Sequence, residues 1–87
     1  MSSAVRDNPQ LHRFELDADR HVAFSEYQRA DNAITFMHTE VPKALEGRGI
    51  GSSLVRGALE IAKAQGLAVK ARCPFVAAYI KKHPELV

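Results

Sequence analysis

The chain has 87 residues, the length of one small domain with a modest core. Its composition, 46% hydrophobic and 25% charged, is that of an ordinary globular protein and excludes a disordered chain. A formal charge of +2 suits an anionic ligand, but it is too small, and the basic residues are too evenly spread, to predict nucleic-acid binding.

The single cysteine, Cys73, excludes an internal disulfide and favours a reducing compartment. The N-terminal residues contain no apolar core and therefore predict no signal peptide. The apolar runs are too short to cross a bilayer. We therefore expect a cytoplasmic protein with no membrane partner.

The first half of the chain predicts three strands. Residues 1–10 are expected to form an irregular arm, and apolar alternation predicts strands over 13–16, 21–30 and 33–41. Asp31 and Asn32 tolerate positive φ and predict a two-residue hairpin turn between the second and third strands.

The second half predicts a strand enclosed by two helices. Apolar residues recur at helical spacing between positions 49 and 65, and Gly66 is expected to end that helix. The connection to a strand over 68–73 is too short for anything but a parallel crossover. Pro74 then opens a helix that runs to residue 83. The predicted order is β-β-β-α-β-α, an α/β sandwich with a mixed sheet, in one domain over 1–87.

The most informative segment is the loop Glu46-Gly47-Arg48-Gly49-Ile50-Gly51 between a strand and a helix. Its glycines let a ligand approach the backbone, and a helix N-terminus favours an anion. The dinucleotide fingerprint fails in every frame, and the P-loop Gly-Lys-Ser/Thr is missing. The alternatives that remain are a plain glycine turn and the pattern [QR]-x-x-G-x-[GA], which is typical of the pyrophosphate loop in the GNAT superfamily of CoA-dependent N-acyltransferases.

Further segments make the resemblance more specific. The chain resembles the small, single-domain YjdJ-type GNAT-like proteins over nearly its whole length, in segments 13–16, 38–42, 45–51, 73–76 and 83–85 and at Tyr27 and Tyr79. This resemblance implies an acetyl-CoA-binding α/β fold without the first helices and last strands of larger members. Glu46 departs from the superfamily pattern, so Arg48 and the backbone must hold the pyrophosphate. The cofactor residues that the resemblance implies are Val41, Gly47, Arg48, Gly49, Ile50, Gly51, Ser52 and Cys73.

In such proteins, backbone N–H groups of the strand before the loop hold the thioester oxygen, and here that strand ends at Thr39-Glu40-Val41. Glu40 is the best candidate for the general base, although a solvated carboxylate is an equal alternative. His38 lies two residues away on the same strand face and is a candidate proton relay. The alternative for His38 is a structural role beside Ile34 and Phe36.

Tyr79 is a candidate acid for the leaving thiolate, with packing of the last helix as its alternative. Phe75 is interpreted as core rather than cofactor wall. Cys73 has three interpretations: a small buried apolar residue, a wall of the cofactor channel, or a nucleophile that takes the acetyl group first.

The predicted function is transfer of acetyl from acetyl-CoA to an unidentified amine, with protein and peptide amines among the candidate acceptors. The alternative is a non-catalytic acyl-CoA-binding or sensing module.

Overall fold

The computed structural model describes residues 4–87, and within them five strands form one sheet in the order β1-β2-β3-β4-β5. The strands are β1 (Arg6–Asn8), β2 (Arg13–Ala18), β3 (His21–Ala30), β4 (Ala33–Glu40) and β5 (Ala68–Ala71). Neighbouring strands are antiparallel except β4 and β5, which are parallel. The predicted α/β fold with a mixed sheet is confirmed.

Helix α1 (Ile50–Ala64) connects β4 to β5, and helix α2 (Pro74–Lys82) follows β5. Short 3₁₀ helices span Lys43–Leu45 and Pro84–Leu86. Pro74 occupies the first turn of α2, where its missing N–H costs nothing. Neither helix has the length and apolar character needed to cross a bilayer.

The expectation of an irregular arm over residues 1–10 is wrong for Arg6–Asn8, which pair antiparallel with β2. The first three residues of that predicted arm lie outside the described residues. The Tyr27 hydroxyl donates a 2.6 Å hydrogen bond to the Asp7 carboxylate and fixes this added strand to the sheet. Burial, followed by this bond to Asp7, raises the pKa of Tyr27 to about 12, so the donor keeps its proton.

The core lies between one face of the sheet and the helices. Phe14, Ala23 and Phe36 are buried on that face against the α1 residues Leu54 and Leu59, with further apolar residues of both layers around them. Burial of this apolar surface is the main favourable term that holds the layers together.

The opposite face of the sheet carries polar and charged residues, and we call it the open face. The strand register places on this face, among others, Arg6, Arg13, Glu15, Phe24, Glu26, His38 and Glu40. Glu15 is only 4% exposed because Arg6, Arg13 and Asn8 cover its carboxylate with hydrogen bonds of 2.6, 2.7 and 3.0 Å.

These bonds predict a stability that depends on pH. The hydrogen bond from Arg13 lowers the pKa of Glu15, burial opposes it, and Asn8 and Arg6 lower it further. The unfolded carboxyl takes up its proton near 4.5, before the folded one does. The stabilisation is therefore complete above that pH and is lost as pH falls through the folded pKa. We expect Glu15→Gln to cost about 1–3 kcal/mol at neutral pH and progressively less in acid, measured by urea unfolding.

Asp17→Asn is the matched control, since Asp17 is an exposed partner of the same Arg6. An exposed ion pair contributes less than about 1 kcal/mol. Equal losses for the two variants, or a Glu15→Gln loss that stays constant between neutral and acid pH, would contradict this assignment.

Candidate functional site

The site is built around a gap that opens between β4 and the chain after β5. The parallel pairing runs from Ala33 opposite Ala68 to Phe36 opposite Ala71. The Phe36 carbonyl then accepts hydrogen bonds from the N–H groups of both Arg72 and Cys73, at 2.8 and 3.1 Å. Beyond this point β4 continues to Glu40, while the segment that follows β5 turns into α2. The edge of β4 is therefore no longer paired with β5.

A β-bulge lies at the same place in β4. Tyr27 of β3 is opposite Phe36, and the next β3 residue back, Glu26, is opposite His38. Met37 is therefore the extra residue, and it reverses which side chains face the core. Ile34 and Phe36 are buried, whereas His38 lies on the open face. The alternative that places His38 beside Ile34 and Phe36 is wrong for this reason.

The glycine loop forms a cradle of about 210 Å³ at the end of β4. Six of the predicted cofactor residues line it: Val41, Gly47, Gly49, Ile50, Gly51 and Ser52. Leu45, Glu46 and Phe75 complete the lining. Gly49 is the N-cap of α1 with φ at 71°, a conformation that favours glycine. Gly51 has the Phe75 ring so close that an added Cβ would lie 3.1 Å from its Cζ atom.

The first turn of α1 presents free backbone donors to this cradle. The first helical bond runs from the Ser53 N–H to the Gly49 carbonyl, at 3.0 Å. The N–H groups of Ile50, Gly51 and Ser52 therefore have no partner within the helix. Within residues 4–87 no side chain caps them, and the first turn carries no acidic residue. Such a helix end is suited to bind an anion.

Arg48 does not line the cradle. Its guanidinium forms an exposed ion pair with Asp19 in the β2–β3 turn. The turn thus holds this positive charge beside the loop rather than inside it.

Cys73 faces the gap from the N-cap position of α2 and is 5% exposed. Its Sγ lies 3.5 Å from the Thr39 hydroxyl, which is itself 2.9 Å from the Ser25 hydroxyl in the core. Burial raises the pKa of Cys73, but hydrogen bonds from the Thr39 hydroxyl and from the backbone N–H groups of Val76, Phe75 and Thr39 outweigh it, so the pKa is lowered. Sequence patterns did not reveal Thr39 and Ser25 as partners, because the contact depends on the bulge.

Glu40 and His38 lie on the open face, and their side chains are 3.2 Å apart. They are thus separated by β4 from Cys73. The Tyr79 ring lies tilted against His83 with ring centres 4.5 Å apart. The Tyr79 hydroxyl oxygen accepts a hydrogen bond from Arg56, which raises the pKa of that guanidinium. The four predicted catalytic residues therefore form no single hydrogen-bonded group.

Phe75 is 45% exposed, so its interpretation as core is wrong. Its ring lines the cradle and also a neighbouring cavity of about 120 Å³. The other residues that line this cavity are Ser52, Ala78, Tyr79 and Lys82. Phe75 is thus a wall between Tyr79 and the glycine loop.

This architecture is found in a solved structure. A GCN5-like protein from Staphylococcus aureus, whose solution structure was determined by NMR, superposes with a TM-score of 0.70 at 27% identity, over 99% of this chain and 86% of that one. A family model described as GCN5-related N-acetyl-transferase matches residues 13–87. The chain belongs to the GCN5-related N-acetyltransferase family, as the sequence resemblance predicted.

Curated relatives give the same family at modest identity. Protein NATD1 of Xenopus tropicalis is 33% identical over 66 residues, which cover 76% of this chain and 60% of that protein. Protein NATD1 of Homo sapiens is 35% identical over 66 residues and is covered to 58%. The chain thus matches about three fifths of the length of these relatives.

The thiol of Cys73 provides a test of this geometry. Thr39→Val keeps the shape of the side chain but removes the hydroxyl, which accepts from the Cys73 thiol and donates to the thiolate once the proton is lost, so we expect the pKa of Cys73 to rise. At a given pH less thiolate would be present, and iodoacetamide would react more slowly. The measurement is the pH dependence of the labelling rate.

Thr35→Val is the control, because Thr35 lies in the same strand, opposite Gln28 and outside the contact with Cys73. An unchanged labelling profile in Thr39→Val, or equal shifts in both variants, would show that the Thr39 hydroxyl does not tune this thiol.

Proposed function

We propose that the chain is an acetyl-CoA-dependent N-acetyltransferase that binds its cofactor at the glycine cradle. The observation that carries the proposal is the uncapped first turn of α1, which opens beside the gap between β4 and α2. A helix end that has no capping side chain and that follows a glycine loop leaves three donors for phosphate oxygens. The family membership supports the same cofactor.

The donor set fits a pyrophosphate at one end and an extended chain at the other. Backbone N–H groups of Ile50, Gly51 and Ser52 would bind the phosphates, with Val41 and Phe75 as apolar walls. From Val41 back to Met37 the strand covers about 13 Å, at roughly 3.3 Å per residue. The pantetheine arm would follow this edge of β4 toward Thr39, whose N–H faces the Cys73 sulfur.

Acetyl-CoA supplies a thioester whose carbonyl carbon accepts the amine. As the nitrogen–carbon bond forms and the carbon–sulfur bond breaks, the amine loses a proton and the sulfur leaves as a thiolate. Glu40, with His38 beside it, would take the amine proton on the open face. The N–H groups of the unpaired β4 edge would hold the carbonyl oxygen as it gains charge. Tyr79 is the proposed donor to the thiolate, a role that requires the Phe75 ring to turn aside.

Cys73 is proposed as a wall of the cofactor channel next to the CoA sulfur. In the covalent alternative, the Cys73 thiolate would take the acetyl group with release of CoA, and the amine would then attack the new thioester. A cytoplasmic location and an unidentified amine acceptor, with protein and peptide amines among the candidates, belong to the same proposal.

The cofactor contact predicts opposite effects for the two members of one ion pair. Arg48 must exchange Asp19 for phosphate, so Asp19→Asn should strengthen CoA binding by up to about 1 kcal/mol, the size of an exposed ion pair. Arg48→Ala should weaken CoA by roughly 1–3 kcal/mol at low salt. Asn tolerates the positive φ of 48° at position 19, so the turn is kept. Calorimetric titration with CoA measures both effects.

Unchanged affinity in both variants would show that Arg48 does not reach the cofactor. Failure of the unaltered chain to bind CoA at all would overturn the proposed function.

The proposed base predicts a defect in turnover without a defect in binding. Glu40→Gln should lower amine-dependent release of CoA by about 10²-fold at saturating acetyl-CoA, while the dissociation constant of CoA is retained. The measurement is steady-state release of free CoA at a series of amine concentrations.

Cys73→Ser is the matched comparison, since direct transfer predicts that it keeps most of the turnover. Full activity of Glu40→Gln would exclude Glu40 as the base. Loss of turnover in Cys73→Ser, together with a hydroxylamine-labile acetyl label on the unaltered chain, would favour the covalent route. CoA binding without release by any amine would favour the acyl-CoA-binding module.

A further inference from the structure

A third cavity, which we call the Met37 cavity, lies away from the glycine cradle. It has a volume of about 500 Å³ and is lined by Leu11, His12, Glu26, Tyr27, Gln28 and Met37. This volume lies within the usual range for small-molecule sites. None of the residues assigned to the cofactor or to catalysis lines it, so the proposed function leaves it unexplained.

The turn that contributes Leu11 and His12 to the cavity is held in place by backbone hydrogen bonds. The His12 carbonyl accepts a 2.9 Å hydrogen bond from the Tyr27 N–H, and His12 has a positive φ of 53°. The Leu11 N–H donates to the Asn8 carbonyl at 3.2 Å. The exposed Leu11 side chain is therefore presented by an ordered turn between β1 and β2.

Glu26 is the acidic group of the cavity and has no ion pair or side-chain hydrogen bond with any other residue in 4–87. Its two cross-strand neighbours, Arg13 and His38, are each engaged elsewhere. Arg13, directly opposite on β2, donates to Glu15 at 2.7 Å and stacks over Phe24 at 4.3 Å. His38, directly opposite on β4, contacts Glu40 at 3.2 Å. The Glu26 carboxylate is exposed and can therefore pair with a cation that enters the cavity from solution.

The position of the cavity relates it to the proposed reaction. Met37, the bulged residue, lines it and also lies where β4 loses its pairing with β5. Glu26 lies on β3, one strand spacing of about 5 Å from β4 and farther from the gap beyond it. A cation bound by Glu26 is therefore too far from the gap to be the reacting nitrogen, which must also be neutral to attack. The apolar side chains of Leu11 and Met37 suit the methylene groups of a ligand that carries a cationic nitrogen at one end and a reacting nitrogen at the other.

We propose that this cavity binds the acceptor, and that the acceptor is an aliphatic diamine. One ammonium group pairs with Glu26 while the other nitrogen loses its proton on the open face and takes the acetyl group. This inference rests on the proposed acetyltransferase function and adds a substrate class to it.

The test compares 1,5-diaminopentane with pentylamine, which has the same carbon chain and one amine. With acetyl-CoA and the unaltered chain, we expect kcat/KM for CoA release to be about tenfold higher for the diamine, the size of one charge-assisted contact. Glu26→Gln should remove this preference through KM, with kcat changed less than about twofold because the variant leaves the reacting groups in place. Glu60→Gln, an exposed carboxylate on α1 paired with Arg56, controls for the loss of one negative charge.

CoA affinity is measured on the same samples by calorimetry, so the two proposals fail differently. Equal kcat/KM for the two amines in the unaltered chain, or an unchanged diamine KM in Glu26→Gln, would overturn the acceptor assignment. So would turnover with a lysine-containing peptide but with neither amine. Absence of CoA binding would instead overturn the proposed function on which the assignment rests.

Discussion

The double hydrogen bond to the Phe36 carbonyl is the interaction on which the site depends. By accepting the N–H groups of both Arg72 and Cys73, this oxygen ends the parallel ladder and turns the chain into α2. Pro74 at the next position has no N–H to continue a ladder, and its fixed φ suits a first helical turn. The remaining β4 residues keep β3 on one side and face a gap on the other. A continuous ladder would have no such gap, and the proposed cofactor would then have no place beside the strand.

The bulge at Met37 adds a second constraint, because it decides which face each residue of the exposed edge occupies. It brings Thr39 to the core side, where it contacts Ser25 and Cys73, and it leaves His38 and Glu40 on the open face. Without the extra residue the period of two would exchange these positions. The Cys73 thiol and the side chains of His38 and Glu40 therefore flank the same strand edge from opposite sides.

Much of the fold was predictable from the sequence, because each element carries a strong local signal. The alternation in 21–30, the turn at Asp31 and the helical period after Gly49 correspond to β3, a positive-φ turn and α1. The strand Arg6–Asn8 was missed, since three residues with no apolar alternation become a strand only through pairing with β2. The bulge was missed because one inserted residue in β4 leaves the local pattern of apolar residues almost unchanged.

The site was predictable only as far as it is contiguous in the chain. The loop from Gly47 to Ser52 lines one cradle because its residues share a turn and a helix end. Phe75 completes that cradle from α2. Its close approach to Gly51 is a tertiary contact, which the spacing of residues along the sequence does not predict. The pairing of Arg48 with Asp19 is likewise set by how the β2–β3 turn packs near the loop.

The two faces of the sheet would keep the two reactants of the proposed transfer apart. The glycine cradle and Cys73 lie toward the helices, whereas Glu26, His38 and Glu40 lie on the open face. Within residues 4–87 the sheet itself separates the two sets of residues. Among the described residues no paired strand covers the edge of β4 beyond Phe36, so an acyl group bound there as proposed would be accessible from both faces. In the proposed reaction, the shortest route between the cofactor and an amine on the open face would pass the bulge at Met37, which lines the Met37 cavity.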